Sequence, residues 1–422
     1  MGGRHRTIRP VVSADVLVVG AGPAGAAAAI ALARAGRDVL VCDKATFPRD
    51  KCCGDGLTAM ALRRLAEMGL APDRVASWMP VRDIHLRSPG GRTVDLTLPG
   101  GPGLHAAVAR RADLDAALVD MARRAGARVV EGAALRGVEV HPDRVVACLD
   151  GLPPAQARYV IGADGMWSPL RKILGLADRA YRGEWHAFRQ YVVAPGPAAR
   201  DLWVWFEPDI LPGYAWSFPL PDGRANVGFG VPRGSRLDGA GLARTWRGLL
   251  ARPHIAEVIG PGWRRESPRR AWPIPAALPS TRLTAGRALF VGDAAAAADP
   301  MTGEGIGQAL ETGALAAEAV LAGGARRPEL VARCYERSAR AALQLDHRLA
   351  SRLSTILGHR HLTDAALAVV DGGEWRRRSF ARWMFEDEPR SALLTPRRWH
   401  CHFLRRPGVT FSADAAVVDD MT

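Results

Sequence analysis

From Val16 to Ala33 the chain runs eighteen residues without a charge, and its pattern changes midway. Val16–Val19 is a short β-branched run and predicts a buried strand, whereas Ala24–Ala33 is alanine-rich and predicts a helix. Between them lies Gly20-Ala21-Gly22-Pro23-Ala24-Gly25. The run reaches the lower limit of a membrane helix, but its glycines, its proline and the change of period predict strand, turn and helix instead. No transmembrane segment is expected. Asp38–Cys42, Tyr159–Ile161 and Ala288–Val291 predict further strands. After the last, Ile306, Ala309, Leu310, Gly313, Ala317, Val320 and Leu321 follow a helical stripe. Leu202–Phe206, with Trp203 and Trp205, and Tyr214–Phe218 read as strands of a second sheet that offers aromatic faces to an apolar ligand. Asp346–Leu357 and Asp364–Val370 predict helices.

Composition narrows the class. In 422 residues, 48% are apolar and 24% charged, which suits two or three folded units and excludes wholesale disorder. The formal charge is +14, but 54 of the 57 cations are arginines and only Lys44, Lys51 and Lys172 are lysines. With so much Ala and Gly, that bias reads as codon usage, and no nucleic-acid partner is expected. Six scattered cysteines (Cys42, Cys52, Cys53, Cys148, Cys334, Cys401) build no disulfide framework, and no metal-ligand spacing appears. Arg4, Arg6 and Arg9 precede no secretory signal, so a reduced, cytoplasmic setting is expected.

The glycine turn carries the first chemistry. Gly20 permits the tight turn, Gly22 lets backbone approach a pyrophosphate, and Gly25 lets the helix pack closely. Phosphates then meet free amides at the helix N-terminus, around Pro23 and Ala24. Asp43, 23 residues after Gly20 and followed by Lys44, is placed to bind a ribose diol. Tyr159–Ile161 leads into Gly162-Ala163-Asp164-Gly165, and Ala288–Val291 into Gly292-Asp293, followed by Pro300 and Gly303-Glu304-Gly305. An aspartate at a strand end can hold a polyol such as a ribityl chain. The glycine-rich start of the helix at Ile306 supplies amides and a dipole for a reduced isoalloxazine.

In this order the three motifs resemble the FAD-dependent oxidoreductases of the hydroxybenzoate-hydroxylase fold, from about Asp15 to Gly323. The resemblance implies an α/β architecture: a Rossmann-like FAD-binding domain, an inserted mixed β-sheet substrate domain and a C-terminal helical region. The expected division gives FAD binding to 12–80, 105–178 and 281–345, substrate-domain strands to 81–104, the substrate domain to 179–280, and the helical region to 346–422. It also implies that Arg111 contacts the FAD phosphates, with Arg110 adjacent in the sequence.

Two motifs narrow the branch. Phe47-Pro48-Arg49-Asp50-Lys51-Cys52-Cys53-Gly54-Asp55-Gly56-Leu57 is similar to the PRxKxCGDGL segment of the geranylgeranyl reductases. Tyr214-Ala215-Trp216-Ser217-Phe218-Pro219, followed by Asn226-Val227 and Gly228-Phe229-Gly230, is similar to that family's YxWxFP…GxG pattern. The WxWxIP tract of flavin-dependent halogenases is missing. The family places its cysteine near the flavin, which makes Cys53, beside Gly54, the candidate catalytic residue; the alternative is inert packing. Tyr214, Trp216, Phe218, Gly228 and Gly230 become the substrate residues. Ala296 stands where a glycine is frequent and Asp299 where an asparagine is common, departures close to the flavin ring in the family.

The resemblance implies an FAD enzyme that reduces C=C bonds of an isoprenoid or other apolar substrate. A five-carbon unit gains about 3–4 kcal/mol on burial, so apolar contact alone can hold a prenyl chain. A monooxygenase of a specialised metabolite is the rival reading, and a non-catalytic flavin- or lipid-binding protein a third. The electron donor is expected to be NAD(P)H or a reduced carrier. Finally, 375–406 carries nine arginines against three acids. There, peripheral contact with an anionic membrane competes with the favoured reading, a helix packed over the substrate domain with snorkelling arginines. The acidic end, with Asp414, Asp419 and Asp420, is expected to fray.

Overall fold

A computed structural model describes residues 11–99, 103–194, 196–234, 239–385, 389, 391–392, 395–398 and 406–411. Arg4, Arg6, Arg9, Cys401, the three terminal aspartates and much of 386–405 lie outside these residues.

Five parallel strands form the nucleotide-binding sheet, in the order Ala288–Phe290, Tyr159–Gly162, Val16–Val19, Val39–Cys42, Arg128–Val130. Thr284–Ala285 adds an antiparallel edge. The three central strands and Ala288–Phe290 are buried along their whole length, which is why they read as unbroken apolar runs rather than alternations. The glycine turn, Asp43, the Gly162–Gly165 turn and Gly292-Asp293 leave from the carboxyl ends of these strands, where parallel α/β sheets place their ligands.

The helices after the first and last motifs pack against each other. In Pro23–Arg34 and Ile306–Gly323 small residues let the backbones meet: a Cβ on Gly313 would lie 2.1 Å from the Ala24 carbonyl oxygen. A small sheet of Val12–Ser13, Ala155–Ala157, Val145–Leu149 and Leu135–Val140 flanks this layer.

The second sheet is mixed and eight-stranded. Its path runs Arg264–Arg265, Trp185–Val193, Arg224–Pro232, Tyr214–Leu220, Leu202–Trp205, Asp83–Arg87, Thr93–Thr97, and Arg270–Ile274 also pairs with Trp185–Val193. Only Leu202–Trp205 and Asp83–Arg87 run parallel. One face packs on Gly239–Leu250 and Pro253–Ile259 through Trp246, Leu249, Ile255 and Ile259.

The C-terminal region differs from expectation in extent. Asp346–Leu357 is only the end of a helix that runs from Pro328 to Leu357. Its buried stripe, Val331, Tyr335, Ala339, Leu343, His347 and Ala350, keeps helical spacing throughout and explains the continuity. Arg360–Asp371 and Glu374–Met384 follow. Leu367, Val370 and Ala381 join the core of the Asp83–Arg87 and Thr93–Thr97 hairpin, with Phe380, Met384 and Phe385 against it. In its described residues, 375–385 is thus packed over the second sheet. Arg382 is buried and donates to the Arg406 carbonyl at 3.0 Å.

Candidate functional site

The phosphate end is built where Val16–Val19 meets the first helix. Gly20 sits at φ +103°, a conformation an L side chain rarely adopts, and a Cβ there would lie 2.3 Å from the Ala163 carbonyl oxygen. Gly22 is the helix N-cap and has no side chain to occupy the free amides. A Cβ on Gly22 would stand 3.5 Å from Arg49 Nη2 and 3.8 Å from Arg111 Nη2. Two guanidinium groups therefore converge on a helix N-terminus, a cradle with the chemistry of a pyrophosphate site.

Both arginines are held by one buried acid. Arg111 donates through Nε and Nη2 to the two Asp115 carboxylate oxygens, each at 2.8 Å, and Arg49 pairs with Asp115 at 3.0 Å. Burial works against the Arg111 charge, but Asp115 outweighs it and keeps the group firmly protonated. Arg110 points elsewhere, to Glu266 at 2.8 and 3.0 Å, so the buried member of the pair is Arg111. Arg49 was not among the expected binding residues, although it belongs to a motif that was recognised.

Asp43 braces this turn, accepting from Ala21 N and Ala45 N, each at 2.8 Å, while exposed Lys44 borders the same cavity. Asp164 accepts from Leu170 N at 2.9 Å through Oδ2, and its Oδ1 is buried with no partner. Burial raises its pKa. An unpaired buried acceptor facing a cavity is the mark of a missing donor.

At the flavin end, Gly292 takes φ +57° and donates to Thr312 Oγ1 at 2.9 Å, which leaves Asp293 facing Lys51 Nζ at 3.7 Å. Lys51 also lies 4.1 Å from the Trp272 ring centroid; burial lowers its pKa although Asp293 opposes the shift. The helix beginning at Ile306 departs from expectation. Its first amides are not open: Glu304 Oε1 accepts from Ile306 N and Gly307 N, each at 2.9 Å. An acidic side chain in the turn competes for the helix end as a capping group does. Ala296 adopts φ +52°, which explains why glycine is frequent there, and Asp299 Oδ1 ties the next turn through Met301 N and Thr302 N.

Cys53 stands between these ends. Its Sγ accepts from Asp55 N at 3.3 Å. Burial raises the thiol's pKa, as does the nearby Asp55 charge, while Arg111 and Lys51 pull the other way. Asp55, which sequence reasoning did not single out, is wholly buried at φ +68°. Its Oδ2 accepts from Tyr191 Oη at 2.6 Å and Asn226 Nδ2 at 2.8 Å, and its Oδ1 from Arg111 N at 3.3 Å. Burial nevertheless pushes its pKa up to about 6. Asn226 also donates to the Cys53 carbonyl at 2.8 Å and accepts from Trp216 Nε1 at 3.2 Å, joining the cysteine loop to the second sheet.

Tyr214, Trp216 and Phe218 alternate along their strand and all face the cavity. Tyr214 donates its hydroxyl to the Thr302 carbonyl, and Trp185 Nε1 donates to the Pro300 carbonyl at 2.9 Å. Gly228 lies opposite Trp216, and a Cβ there would fall 2.2 Å from the indole Cζ2. Its role is therefore space behind Trp216, not cavity lining. Gly25 and Pro300 likewise lie outside the lining, while Gly230 and Gly54 belong to it.

The expected aromatic face of Leu202–Phe206 reduces to Phe206. Strand alternation turns Leu202, Val204 and Phe206 to the cavity, so Trp203 and Trp205 face away. Trp205 is fully buried in the opposite core, and Trp203 stacks on His85 at 4.3 Å.

These walls enclose one cavity of about 790 Å³. It runs from Gly20 and Gly22, past Cys53, Trp216 and Phe218, to Leu353, Leu357, Leu367, Phe380 and Trp383 of the C-terminal helices. No cluster of metal-ligating side chains occurs among the described residues. The Gly22–Arg49–Arg111 cradle, the unpaired Asp164 oxygen and Asp293 fit the phosphates and polyol of FAD.

That combination defines an FAD-dependent oxidoreductase. The FAD binding domain model matches residues 13–346. Menaquinone reductase of Mycobacterium tuberculosis is 41% identical over 328 residues, covering 72% of this chain and 76% of that protein. Digeranylgeranylglycerophospholipid reductase 1 of Methanopyrus kandleri is 35% identical over 311 residues, covering 72% and 79%. A geranylgeranyl bacteriochlorophyll reductase-like structure from Thermoplasma acidophilum shares the fold, with a TM-score of 0.76 at 22% identity over 91% of this chain and 99% of that one. The chain belongs to the FAD binding domain family and, within it, to the geranylgeranyl reductases.

Proposed function

We propose that this reductase saturates a carbon–carbon double bond in a polyprenyl chain, carried by a quinone or a lipid. The observation that carries the reading is the continuity of the cavity from the phosphate cradle to an apolar end in the C-terminal helices. The similarity to proteins named menaquinone reductase and digeranylgeranylglycerophospholipid reductase supports the substrate class.

FAD, once reduced, supplies a hydride. The chain's own residues do the rest. Arg49, Arg111 and the amides after Gly22 hold phosphate, and Asp164 and Asp293 accept from hydroxyls. Tyr214, Trp216 and Phe218 press one side of the alkene, and the aliphatic wall of Leu202 and Val204 excludes water. Cys53 keeps its proton through neutral pH, because burial raises its pKa, and holds it at Sγ for the second alkene carbon. The reductant is NAD(P)H or a reduced carrier.

The test is anaerobic. The flavin of the purified protein is reduced, excess reductant is removed, and a polyprenyl quinone or a geranylgeranyl lipid is added. Return of the yellow colour with a saturated product supports the reading. No reoxidation by either alkene, with oxygen entering the product under air, overturns it in favour of a monooxygenase.

A further inference from the structure

The far end of the cavity reaches the surface between the C-terminal helices. Ile356 and Ala366 both line it and both are exposed. The surface around that mouth is apolar. Arg360–Asp371 buries Thr363, Leu367 and Val370 on its inner side. Its outer side carries Leu362, Ala365, Ala368 and Val369, all exposed, with Leu362 at 49% and Val369 at 61%. A surface helix ordinarily presents polar residues there, and an apolar patch beside a cavity marks a contact site.

The preceding helix adds charge. Leu345, Arg348, Arg352 and Ile356 recur every three or four residues on its exposed side, so arginines alternate with apolar tips. From Arg348 to His361 there are three arginines, two histidines and no acid. Neither Arg348 nor Arg352 has an acidic partner among the described residues. The acids of the neighbouring helices are engaged: Asp371 with Arg92 and Arg377, Glu374 with Arg378, and Asp364 with the Gly90 amide and the nearby charges of Arg360 and His361, which leaves Arg348 and Arg352 as the cations of this face. Trp375, 72% exposed, stands in the first turn of the next helix. None of the described helices is long and apolar enough to cross a membrane.

We propose that this face rests on an anionic lipid bilayer, with Leu362, Val369 and Trp375 in the acyl boundary and Arg348 and Arg352 among the headgroups. The cavity then opens into hydrocarbon, and a long apolar chain enters without crossing water. This use of the face rests on the prenyl reading above, but the contact itself does not. Apolar tips set beside Arg348 and Arg352, which have no acidic partner among the described residues, complement a bilayer's hydrocarbon and its negative surface together. The surface differs from the arginine-rich 376–385, whose Phe380 and Met384 are turned inward.

The experiment sediments the full FAD-loaded chain with vesicles of phosphatidylcholine alone, or of equimolar phosphatidylcholine and phosphatidylglycerol. Binding is expected to the anionic vesicles and to weaken in high salt. Arg348→Ala with Arg352→Ala should weaken it about 30-fold, at about 5-fold per arginine. Leu362→Glu with Val369→Glu should abolish it. Both variants should keep wild-type FAD content and melting temperature, since none of the four residues lines the cavity. Wild-type sedimentation by both variants overturns the proposal. So does failure of the wild type to bind, or light scattering in which the glutamate variant breaks a dimer instead. Because sedimentation uses no substrate, its failure leaves the reductase reading standing, and failure of the turnover test leaves the contact standing.

Discussion

Tyr191 donates its hydroxyl to Asp55 Oδ2 at 2.6 Å, across the seam between the second sheet and the cysteine loop. Two donors on one oxygen, Tyr191 and Asn226, do not offset the desolvation of a wholly buried carboxylate, and its pKa stands at about 6. Between the ordinary 3.8 and about 6 the folded chain holds a proton that the unfolded chain has released. Stability is therefore greatest at the acid end of that window and falls as pH rises through it. Asp55→Asn removes the titration. Its amide would face the Arg111 N–H that Oδ1 now accepts, a penalty that does not vary with pH. The stability of Asp55→Asn relative to wild type should rise between about pH 4 and pH 7 by on the order of 3 kcal/mol. Thermal melts across that range read it, and a difference independent of pH would refute the assignment.

Gly22 tests the cradle without disturbing the fold. Its φ of −73° suits alanine, and the added Cβ makes only ordinary contacts with Arg49 and Arg111. The methyl group would nevertheless stand between the two guanidinium groups and the helix amides. Gly22→Ala should melt within a few degrees of wild type, since the N-cap change is small. FAD affinity should fall about 10- to 100-fold, the loss of one or two charge-assisted hydrogen bonds. Flavin absorbance after dialysis measures it, and wild-type retention would remove Gly22 from the phosphate site.

Gly228 makes a different prediction, one about shape. A methyl group there would meet Trp216 Cζ2 at 2.2 Å and the Phe188 carbonyl oxygen at 2.4 Å, and backbone on one side leaves the indole alone to move. Gly228→Ala should cost about 1–3 kcal/mol as an overpacked site and turn Trp216 into the cavity. The checks are a lowered melting temperature and a shifted Trp216 fluorescence signal, read against a Trp216→Phe control. Unchanged melting would show that the sheet accommodates the methyl group.

How much of this was legible beforehand follows from the range over which each signal acts. The glycine turn, Asp43, Asp164 and Asp293 declared themselves because strand, turn and helix are local patterns. Gly228 was recognised as part of a motif but assigned to the ligand, since only the strand register reveals that it faces Trp216. Trp203 and Trp205 were placed on the wrong side because alternation fixes which residues share a face but not which face is inside. Asp55 and Arg49 sat within a recognised motif, yet their importance depends on Tyr191, Asn226 and Asp115, far away in sequence. The apolar end of the cavity was hidden for the same reason: Leu353, Leu367 and Trp383 belong to helices that read individually as ordinary amphipathic segments.

Cys53 carries the sharpest chemical expectation. Its thiol has a raised pKa, so it remains protonated through neutral pH, and a thiol held in that state can give up a proton only to a strongly basic partner. A carbon that has just received hydride at its neighbour is such a partner, and Arg111 and Lys51 nearby favour the thiolate left behind. Cys53→Ala removes the proposed proton source; Asp55 N loses one weak sulfur acceptor and Arg111 its contact with the thiol, while Asp55 stays anchored by Tyr191 and Asn226 and Arg111 by Asp115. The variant should purify with full flavin content and reduce its alkene about 10²- to 10⁴-fold more slowly, the usual range for a lost general acid. Cys53→Ser, a much weaker acid of similar shape, should recover little of the rate. If the alanine variant turns over as fast as wild type, Cys53 is a packing residue and the proton comes from elsewhere in the cavity wall.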